Sequence, residues 1–179
     1  MNSKHLENAK LIGEFCLNTK KSVKKNLNFI KCKKLSQIDY KKEHARVYFI
    51  LVDDVVVKIG GSNAKGGICG TINPYCSGNQ GRPSDRTFGV NYKIHKILKE
   101  GSKVELYAQW LSPKKVEVPT ISKKVKINVS FSYKPMEERC IKEYKKLHKK
   151  FPNWNFQEDN REWPKHIREA RQKLLGGKK

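Results

Sequence analysis

Acidic residues are scarce in this chain. Its 179 residues include 17 Asp and Glu against 39 Lys and Arg, so the formal net charge is +22 at pH 7. Self-repulsion of this size disfavours a compact state, and its usual explanation is a polyanionic partner whose phosphates Lys and Arg neutralise. We therefore expect a nucleic-acid partner, with an anionic membrane surface as the alternative.

Long apolar runs are also lacking. No stretch approaches the roughly 18 apolar residues that a membrane-spanning helix needs. The N-terminus is polar, and Leu11-Ile12-Gly13 is too short to be the apolar segment of a signal peptide. These absences argue against membrane insertion and export, so we expect a cytoplasmic protein from a prokaryote.

Cysteines and histidines form no recognisable metal or disulfide pattern. The five cysteines are an odd number, no two have Cys-x-x-Cys spacing, and the five histidines are scattered. Zinc sites and disulfide frameworks both depend on regular spacing of these residues. We therefore expect reduced thiols with structural roles.

The chain divides into three parts by composition. Residues 1–45 are a basic extension whose apolar residues recur at intervals typical of short amphipathic helices. Residues 46–160 carry the core, including a lysine-rich insert at 112–135 that alternates like a pair of strands. Residues 161–179 form a basic C-terminal tail. A chain of this length suits one domain with such additions.

The core begins with a β-hairpin. Residues 46–52 and 55–59 are rich in β-branched and aromatic residues, and the two-residue turn Asp53-Asp54 separates them. The elements that follow are a Gly-, Ser- and Asn-rich stretch at 61–81, a helix capped by Ser84 that reaches about Lys99, a strand at 104–110 and, after the insert, a helix at 136–151. The expected fold class is α+β: a small three-stranded antiparallel sheet flanked by helices, with basic extensions at both ends and a β insert.

The hairpin carries polar residues that can share a face. The first strand contains Arg46-Val47-Tyr48, and the second contains Lys58-Ile59-Gly60. Tyr48 and Lys58 have like parity on paired strands, so their side chains can point to the same side of the sheet. Gly60 leaves room for a backbone or a phosphate to approach closely.

These motifs resemble those of the GIY-YIG nuclease superfamily, and most of all those of its small type II restriction endonucleases. Arg46-Val47-Tyr48 stands in place of Gly-Ile-Tyr and keeps the tyrosine. Lys58-Ile59-Gly60 stands in place of Tyr-Ile-Gly and begins with lysine, as in some restriction enzymes of the family. Glu137-Glu138-Arg139-Cys140-Ile141 resembles the family's Glu-x-x-Leu-Ile helix start, and Asn155 resembles the asparagine that follows that helix. The resemblance covers roughly residues 46–155.

The resemblance implies a hydrolytic site that combines a tyrosine, cations and one carboxylate. Tyr48 would accept the proton of the attacking water, and Lys58 beside it would lower the pKa of its phenol. Glu137 would hold one Mg²⁺, for which Mn²⁺ can substitute, and Glu138 is the alternative ligand. Supporting roles fall to Gly60, Asn155 and, as a helper base, His148.

The family's phosphate-neutralising arginine is missing from its usual window. That window, about one helical segment after the Tyr-Ile-Gly position, holds Gly66-Gly67-Ile68-Cys69. The candidates are Arg86 and Arg82, which both lie beyond the glycine-rich stretch. Arg86 is preferred because it falls in the first turn of the expected helix.

Five residues of the loop at 61–86 and of the insert are expected to contact DNA: Lys65, Asn79, Arg82, Lys123 and Lys124. Phosphate contacts position DNA without reading its sequence, which is read at the base edges in the grooves. A plain flexible loop is the alternative interpretation of residues 61–86. The loop lacks the Gly-Lys-Ser/Thr ending of a Walker loop, so no nucleotide cofactor is expected.

The sequence thus predicts a Mg²⁺-dependent endonuclease that cleaves double-stranded DNA. The preferred subtype is a type II restriction enzyme that acts as a homodimer, because a two-fold protein matches a two-fold site. Two alternatives remain open. A non-catalytic, basic nucleic-acid-binding protein would bind DNA without cutting it, and a homing or repair nuclease on the same core would usually carry a separate DNA-binding module.

Overall fold

An antiparallel sheet of five strands lies at the centre of the described residues. The computed structural model describes residues 1–20 and 24–176. The strand bounds within them are Lys10–Leu17 for β1, Leu27–Lys31 for β2, Arg46–Val52 for β3, Val55–Ser62 for β4 and Val104–Trp110 for β5. The strands are ordered β2-β1-β5-β3-β4, and each neighbouring pair is antiparallel. β4 is therefore an edge strand.

Helices cover both faces of this sheet. Their bounds in the described part of the chain are Gln37–Lys41 for α1, Gly67–Cys76 for α2, Asp85–Lys99 for α3, Tyr133–His148 for α4 and Lys165–Gly176 for α5. Short 3₁₀ turns occupy Ser3–His5 and Gln157–Asp159. Two further strands, Lys114–Pro119 (β6) and Lys124–Val129 (β7), pair with each other as a separate hairpin. Among the described helices, none has both the length and the hydropathy that crossing a bilayer requires.

Two apolar cores lie on opposite faces of the sheet, because successive side chains of a strand alternate between its faces. Tyr48, Ile50 and Leu106 belong to one core, together with residues of α2, α3 and α5. Val47 and Phe49 belong to the other core, together with residues of α4. β3 is therefore buried on both sides, which explains its nearly continuous apolar sequence.

The predicted β3–β4 hairpin is confirmed. Asp53 and Asp54 have φ angles of 45° and 65°, the left-handed conformations of a two-residue type I′ turn. Aspartate tolerates these conformations better than most residues with a side chain. The register pairs Tyr48 with Gly60, two residues beyond Lys58. Tyr48 and Lys58 therefore project from the same face of the hairpin.

The sheet is larger than predicted, because residues 1–45 contribute the strands β1 and β2 as well as the short helix α1. The spacing of Leu11, Ile12 and Phe15 is compatible with a helix. However, β1 pairs with β2 on one side and with β5 on the other, and this tertiary pairing decides the local conformation. Ile12 and Phe15 are buried in the same core as Tyr48. Residues 21–23 of this region lie outside the described residues.

A second difference is α2, which lies inside the stretch expected to be a loop. Gly66 precedes it with a φ of 79°, a left-handed conformation that suits glycine. Ile68, Ile72 and Cys76 recur every four residues and are buried. Burial of this apolar face outweighs the weak helix propensity of the glycines and of Asn73.

The remaining elements agree with the sequence. The helix capped by Ser84, the strand at 104–110, the strand pair of the insert and the helix after it are confirmed, although the last begins at Tyr133. The C-terminal tail contains α5, whose Ile167 joins the main core, and residues 177–179 lie outside the described residues. The division of the chain at residues 45 and 160 stays a prediction.

Candidate active site

Tyr48 lies on the buried floor of a cleft beside β4. Its side chain is 2% exposed, and its hydroxyl lies 2.6 Å from the hydroxyl of Tyr75 on α2. Arg86 Nη2 donates to the Tyr48 hydroxyl at 3.4 Å. A Cβ atom on Gly60, across the strand pair, would lie 2.3 Å from Tyr48 Oη. Glycine is therefore needed at this position to admit the phenol ring, whereas the sequence suggested that it admits a phosphate.

Arg86 connects Tyr48 to a carboxylate on α4. It lies in the first turn of α3, whose N-cap is Ser84, and its Nη2 is 4.0 Å from Glu137 Oε1. Burial lowers the pKa of the guanidinium, but the neighbouring phenols and Glu137 more than reverse this, so the net shift is upward. The group is a permanent cation, which suits binding of a phosphoryl group. Arg82, the alternative, is exposed in the preceding loop.

Lys58 is buried, and Arg86 takes the position beside the phenol that the sequence suggested for Lys58. Lys58 is 1% exposed, and burial followed by the charge of Arg86 lowers its pKa to about 8, although nearby carboxylates act in the opposite direction. The pKa of Tyr48 is raised well above its ordinary value by burial first and then by Tyr75. The cation that opposes this rise is Arg86.

Glu137 and Glu138 both line the cleft, but Glu137 is largely buried and Glu138 is largely exposed. The Glu137 side chain is 15% exposed, and burial raises its pKa against the opposing charges of Arg86 and Lys58. Glu138 is rotated by about 100° around α4. It is 66% exposed, and Lys142, which pairs with it at 2.8 Å, lowers its pKa. Of the two candidate metal ligands, Glu137 is therefore the one beside Arg86.

Asn155 supports β4 between Lys58 and Gly60. It is fully buried, its Oδ1 accepts the Ile59 N–H at 2.9 Å, and its Nδ2 donates to the Ile59 carbonyl at 2.8 Å. These are the two hydrogen bonds that a neighbouring strand would make with Ile59. One side chain thus fixes the part of the edge strand that carries Lys58.

His148 lies far from this cleft. It is three helical turns beyond Glu137, about 16 Å along α4 at 1.5 Å per residue. Its ring centroid is 4.5 Å from that of Tyr144. The structure therefore does not bring the expected helper base to Tyr48.

Tyr75 and Glu158 belong to the cleft but were not found from the sequence. Tyr75 lies on α2, and the apolar repeat Ile68, Ile72, Cys76 was the signal that could have revealed this helix. Glu158 lines the same cavity as Glu137. No sequence signal points to Glu158, because its position depends on how the segment around Asn155 docks onto β4.

Two cavities meet at Arg86. The larger, here called the α4 cavity, has a volume of about 610 Å³ and is lined by α4 residues between Tyr133 and Lys145, by Phe151 and Glu158, and by Arg86. The smaller has a volume of about 250 Å³ and is lined by residues around Tyr48 and by Arg86. A group bound by the Arg86 guanidinium can therefore be reached from both sides.

The cleft offers few protein ligands to a metal ion. In residues 1–20 and 24–176, no three or more His, Cys, Asp or Glu side chains lie close enough together to hold one. Glu137 and Glu158 both line the α4 cavity. One or two carboxylates, with water in the other positions, suit Mg²⁺, whereas zinc usually takes three or four protein ligands. The available donors therefore fit a hydrated magnesium ion.

The residues expected to contact DNA differ in their surroundings. Lys65 is exposed shortly before α2, and Lys123 and Lys124 are exposed where the β6–β7 hairpin turns. Asn79 is already engaged, because its Nδ2 donates to the Lys24 carbonyl at 2.9 Å. That bond ties the loop after α2 to the segment before β2, so Asn79 has a structural role, and its contact with DNA stays a prediction.

Comparison with solved structures decides the fold. Bacteriophage T4 EndoII, solved as a mutant, has 23% sequence identity and a TM-score of 0.50 to this chain, and the match covers 87% of this chain and 99% of that one. The chain has the GIY-YIG nuclease fold. Restriction endonuclease Hpy188I, solved in complex with product DNA, matches with 22% identity and a TM-score of 0.45, covering 85% of this chain and 84% of that one. No protein-family model and no curated protein matches the chain.

The GIY-YIG fold confirms the resemblance carried by the hairpin and by the helix that begins at Tyr133. The usual window of the family's arginine, residues 66–69, contains no arginine. That window leads into α2, and α2 packs against α3, which carries Arg86. Two neighbouring helices therefore border the Tyr48 hydroxyl, and the second of them carries Arg86, the preferred candidate for the arginine.

Proposed function

We propose that this protein is a divalent-metal-dependent endonuclease that hydrolyses phosphodiester bonds in double-stranded DNA. The observation that carries the proposal is the chain of contacts from Tyr48 through Arg86 to Glu137, at 3.4 Å and 4.0 Å, where two cavities meet. A phenol, a permanent cation and a half-buried carboxylate are the groups that phosphodiester hydrolysis requires. The net charge of +22 provides the attraction to the DNA backbone.

Each group has a distinct part in the reaction. Arg86 neutralises the charge that develops on the phosphoryl oxygens, and Lys58 adds a second cation under the same site. The Tyr48 phenol must first lose its own proton to solvent before it can accept that of the attacking water. The adjacent guanidinium favours this loss because it stabilises the phenolate. Water adds to phosphorus, the phosphorus–oxygen bond to the leaving group breaks, and the leaving oxygen takes a proton from solvent.

Glu137 would hold the metal ion, with Glu158 and the more exposed Glu138 on the wall of the same cavity. Bound Mg²⁺, or Mn²⁺ in its place, supplies positive charge that stabilises the leaving oxygen. The role of Glu137 is to keep the ion next to Arg86. Its partial burial strengthens that attraction, because charges interact more strongly when water is excluded.

The finer assignment is a site-specific type II restriction endonuclease that acts as a homodimer. The exposed lysines Lys65, Lys123 and Lys124 would contact phosphates, as would Arg82 in the loop before α3. Cutting both strands of a duplex requires two active sites or two binding events, and a two-fold dimer provides both at once. A homing or repair role on the same fold is the alternative, and it is distinguished by the fragments produced.

Digestion of supercoiled plasmid DNA with Mg²⁺ or Mn²⁺ tests the proposal. We expect cleavage by the wild type and a loss of about 100-fold or more for Tyr48→Phe and Glu137→Gln, the range for removing a proton-transfer or charge-stabilising group. Tyr92→Phe and Glu143→Gln are matched controls, because they alter the same residue types outside the contact chain and outside the α4 cavity, and we expect them to cut normally.

The same digest distinguishes a restriction enzyme from a repair or homing nuclease and from a DNA-binding protein. Discrete, reproducible fragments from DNA of varied sequence support a site-specific restriction enzyme, whereas cutting confined to damaged or very long sites supports a repair or homing role. DNA binding with no cleavage in either metal would refute the endonuclease and leave a binding protein. If Tyr48→Phe and Glu137→Gln both cut like the wild type, the site assignment is wrong.

A further inference from the structure

The α4 cavity is lined by side chains that metal binding by Glu137 does not require. It adjoins Arg86 and Glu137, so a strand whose phosphate is bound there must pass the mouth of the cavity. Beyond them it carries two aromatic side chains, Tyr133 and Phe151, and the apolar Ile141. Neither phosphate binding nor metal binding uses such groups.

We infer that the α4 cavity holds an unstacked nucleotide of the cleaved strand, next to the scissile phosphate. The inference rests on the proposed nuclease function and specifies which part of the substrate this cavity takes. The ligand is a single nucleotide unit of DNA with its base turned out of the duplex.

The size of the cavity excludes a duplex and admits a nucleotide. Its volume of about 610 Å³ equals that of a sphere about 10 Å across, which is less than the width of the DNA major groove alone, about 12 Å. Pockets of about 300–1,000 Å³ hold ligands of the size of a nucleotide. A base still stacked in a duplex cannot reach the interior, so the base must leave the stack to enter.

The lining contains groups suited to both parts of a nucleotide, the base and the phosphate. Aromatic rings such as those of Tyr133 and Phe151 stack on bases of any sequence. Lys134, Lys142 and Lys145 line the same cavity and provide positive charge for the flanking phosphates. Glu138 also lines the cavity and pairs with Lys142 at 2.8 Å, so a phosphate would have to replace that carboxylate.

Phe151 also has a cation in place beside its ring. The Lys145 ammonium lies 4.3 Å from the ring centroid. An aromatic platform with an adjacent cation is the arrangement by which proteins bind single-stranded nucleic acid without reading its sequence. The cavity lining contains four cations against the three carboxylates Glu137, Glu138 and Glu158, and this excess of cations together with the aromatic platform favours a DNA strand as the occupant.

Binding of fluorescein-labelled tetrathymidylate to the full chain without divalent ions, followed by anisotropy over a series of salt concentrations, tests the inference. The double variant Lys142→Ala/Lys145→Ala should reduce the slope of log affinity against log salt by about 1.4, since each lost phosphate contact on a single strand accounts for about 0.7. The matched double variant Lys146→Ala/Lys150→Ala removes two exposed lysines of the same region that do not line the cavity, and should change the slope little.

Phe151→Leu tests the stacking half of the inference separately. It should weaken binding about fivefold or more while leaving the salt slope unchanged, because stacking on an aromatic ring involves no ion release. Tyr133 is the second aromatic residue of the lining, and Tyr133→Leu gives the same test if Phe151→Leu does not fold. Equal slopes for the two lysine double variants, or unchanged affinity in both aromatic variants, would overturn the inference.

A duplex that the enzyme cuts, with 2-aminopurine beside the cleaved bond, gives a second readout. Its fluorescence should rise when the wild type binds without divalent ions, and rise less with Phe151→Leu, since the base fluoresces when it leaves the stack. If the protein binds the oligonucleotide as expected but cuts no DNA, the proposed nuclease function is wrong, whereas the nucleotide site in the α4 cavity is supported. A chain that cuts DNA but shows no rise would refute the nucleotide site alone.

Discussion

Lys58 combines a positive charge with nearly complete burial, and at neutral pH this combination destabilises the fold. Its pKa falls from 10.5 to about 8, because burial and then the charge of Arg86 disfavour the ammonium. Between the folded and the unfolded pKa the unfolded chain binds more protons, so stability rises with pH across that window. Below it both states are protonated, and the shift corresponds to about 3 kcal/mol lost from the free energy of unfolding.

We therefore expect Lys58→Met to raise the free energy of unfolding at neutral pH by up to about 3 kcal/mol while abolishing cleavage. Methionine keeps the length of the side chain and removes the buried charge. Urea denaturation at neutral pH and above the folded pKa measures the effect, and the advantage of the variant should shrink at the higher pH. A variant less stable than the wild type at neutral pH would show that Glu158 and Glu137 stabilise Lys58 by more than its burial costs.

The pH dependence of cleavage should report on Tyr48. Burial and then Tyr75 raise the pKa of Tyr48, while Arg86 lowers it. If the phenolate is the reactive form, the rate rises with pH, and Tyr75→Phe should move the rising limb of the profile to lower pH because it removes a group that raises the pKa. Tyr92→Phe, a matched change on α3, should leave the limb in place. A move to higher pH would mean that Tyr75 stabilises the phenolate by donating a hydrogen bond.

Among elements, the edge strand β4 depends on one amide side chain. Asn155→Ala would leave the Ile59 N–H and C=O without partners in a buried position, and should lower the free energy of unfolding by about 2–4 kcal/mol. It should also reduce cleavage, since Lys58 and Gly60 flank Ile59. Asn153→Ala, two residues earlier and exposed, is the matched control and should be near neutral in thermal and urea denaturation. A shift in the control as large as in Asn155→Ala would assign the effect to the loop as a whole.

Elements with strong local signals could be predicted from the sequence. The β3–β4 hairpin has two apolar strands and an acidic two-residue turn, and α3 has a serine cap and helical apolar spacing. β1 and α2 could not be predicted from the sequence, because partners distant in the sequence decide their conformation. β1 exists through pairing with β5, and α2 exists through burial of Ile68 and Ile72 against the core.

The candidate site shows the same division. Tyr48 and Glu137 were candidates because their motifs resemble those of the GIY-YIG family, and Arg86 was preferred for its place in a helical turn; the structure brings the three side chains together. Tyr75 was missed because its helix was missed. The supporting role of His148 stays a prediction, because helical spacing along α4 does not give its distance from β3.

For the molecule as a whole, the charge of +22 predicts DNA binding that weakens steeply with salt. Lys123→Ala/Lys124→Ala should lower the salt slope for duplex binding by about 1.8, with no change in thermal stability, because both side chains are exposed on the β6–β7 hairpin. Lys96→Ala/Lys99→Ala, at the end of α3 farthest from Arg86, is the matched control. Equal changes in the two variants would show that the hairpin has no special part in binding.

The amide side chain of Asn155 also prevents the β4 edge from pairing with strands of other copies of the chain. β4 begins with three consecutive valines, Val55 to Val57, and an open edge of this kind recruits strands from other chains into aggregates. Asn155 covers the edge at Ile59, and the Trp154 amide covers it at the Val57 carbonyl. Chains whose β4 edge is not covered would still repel one another at low ionic strength because of their net positive charge, but salt screens that repulsion. A chain without this amide would therefore precipitate in concentrated salt while still folded.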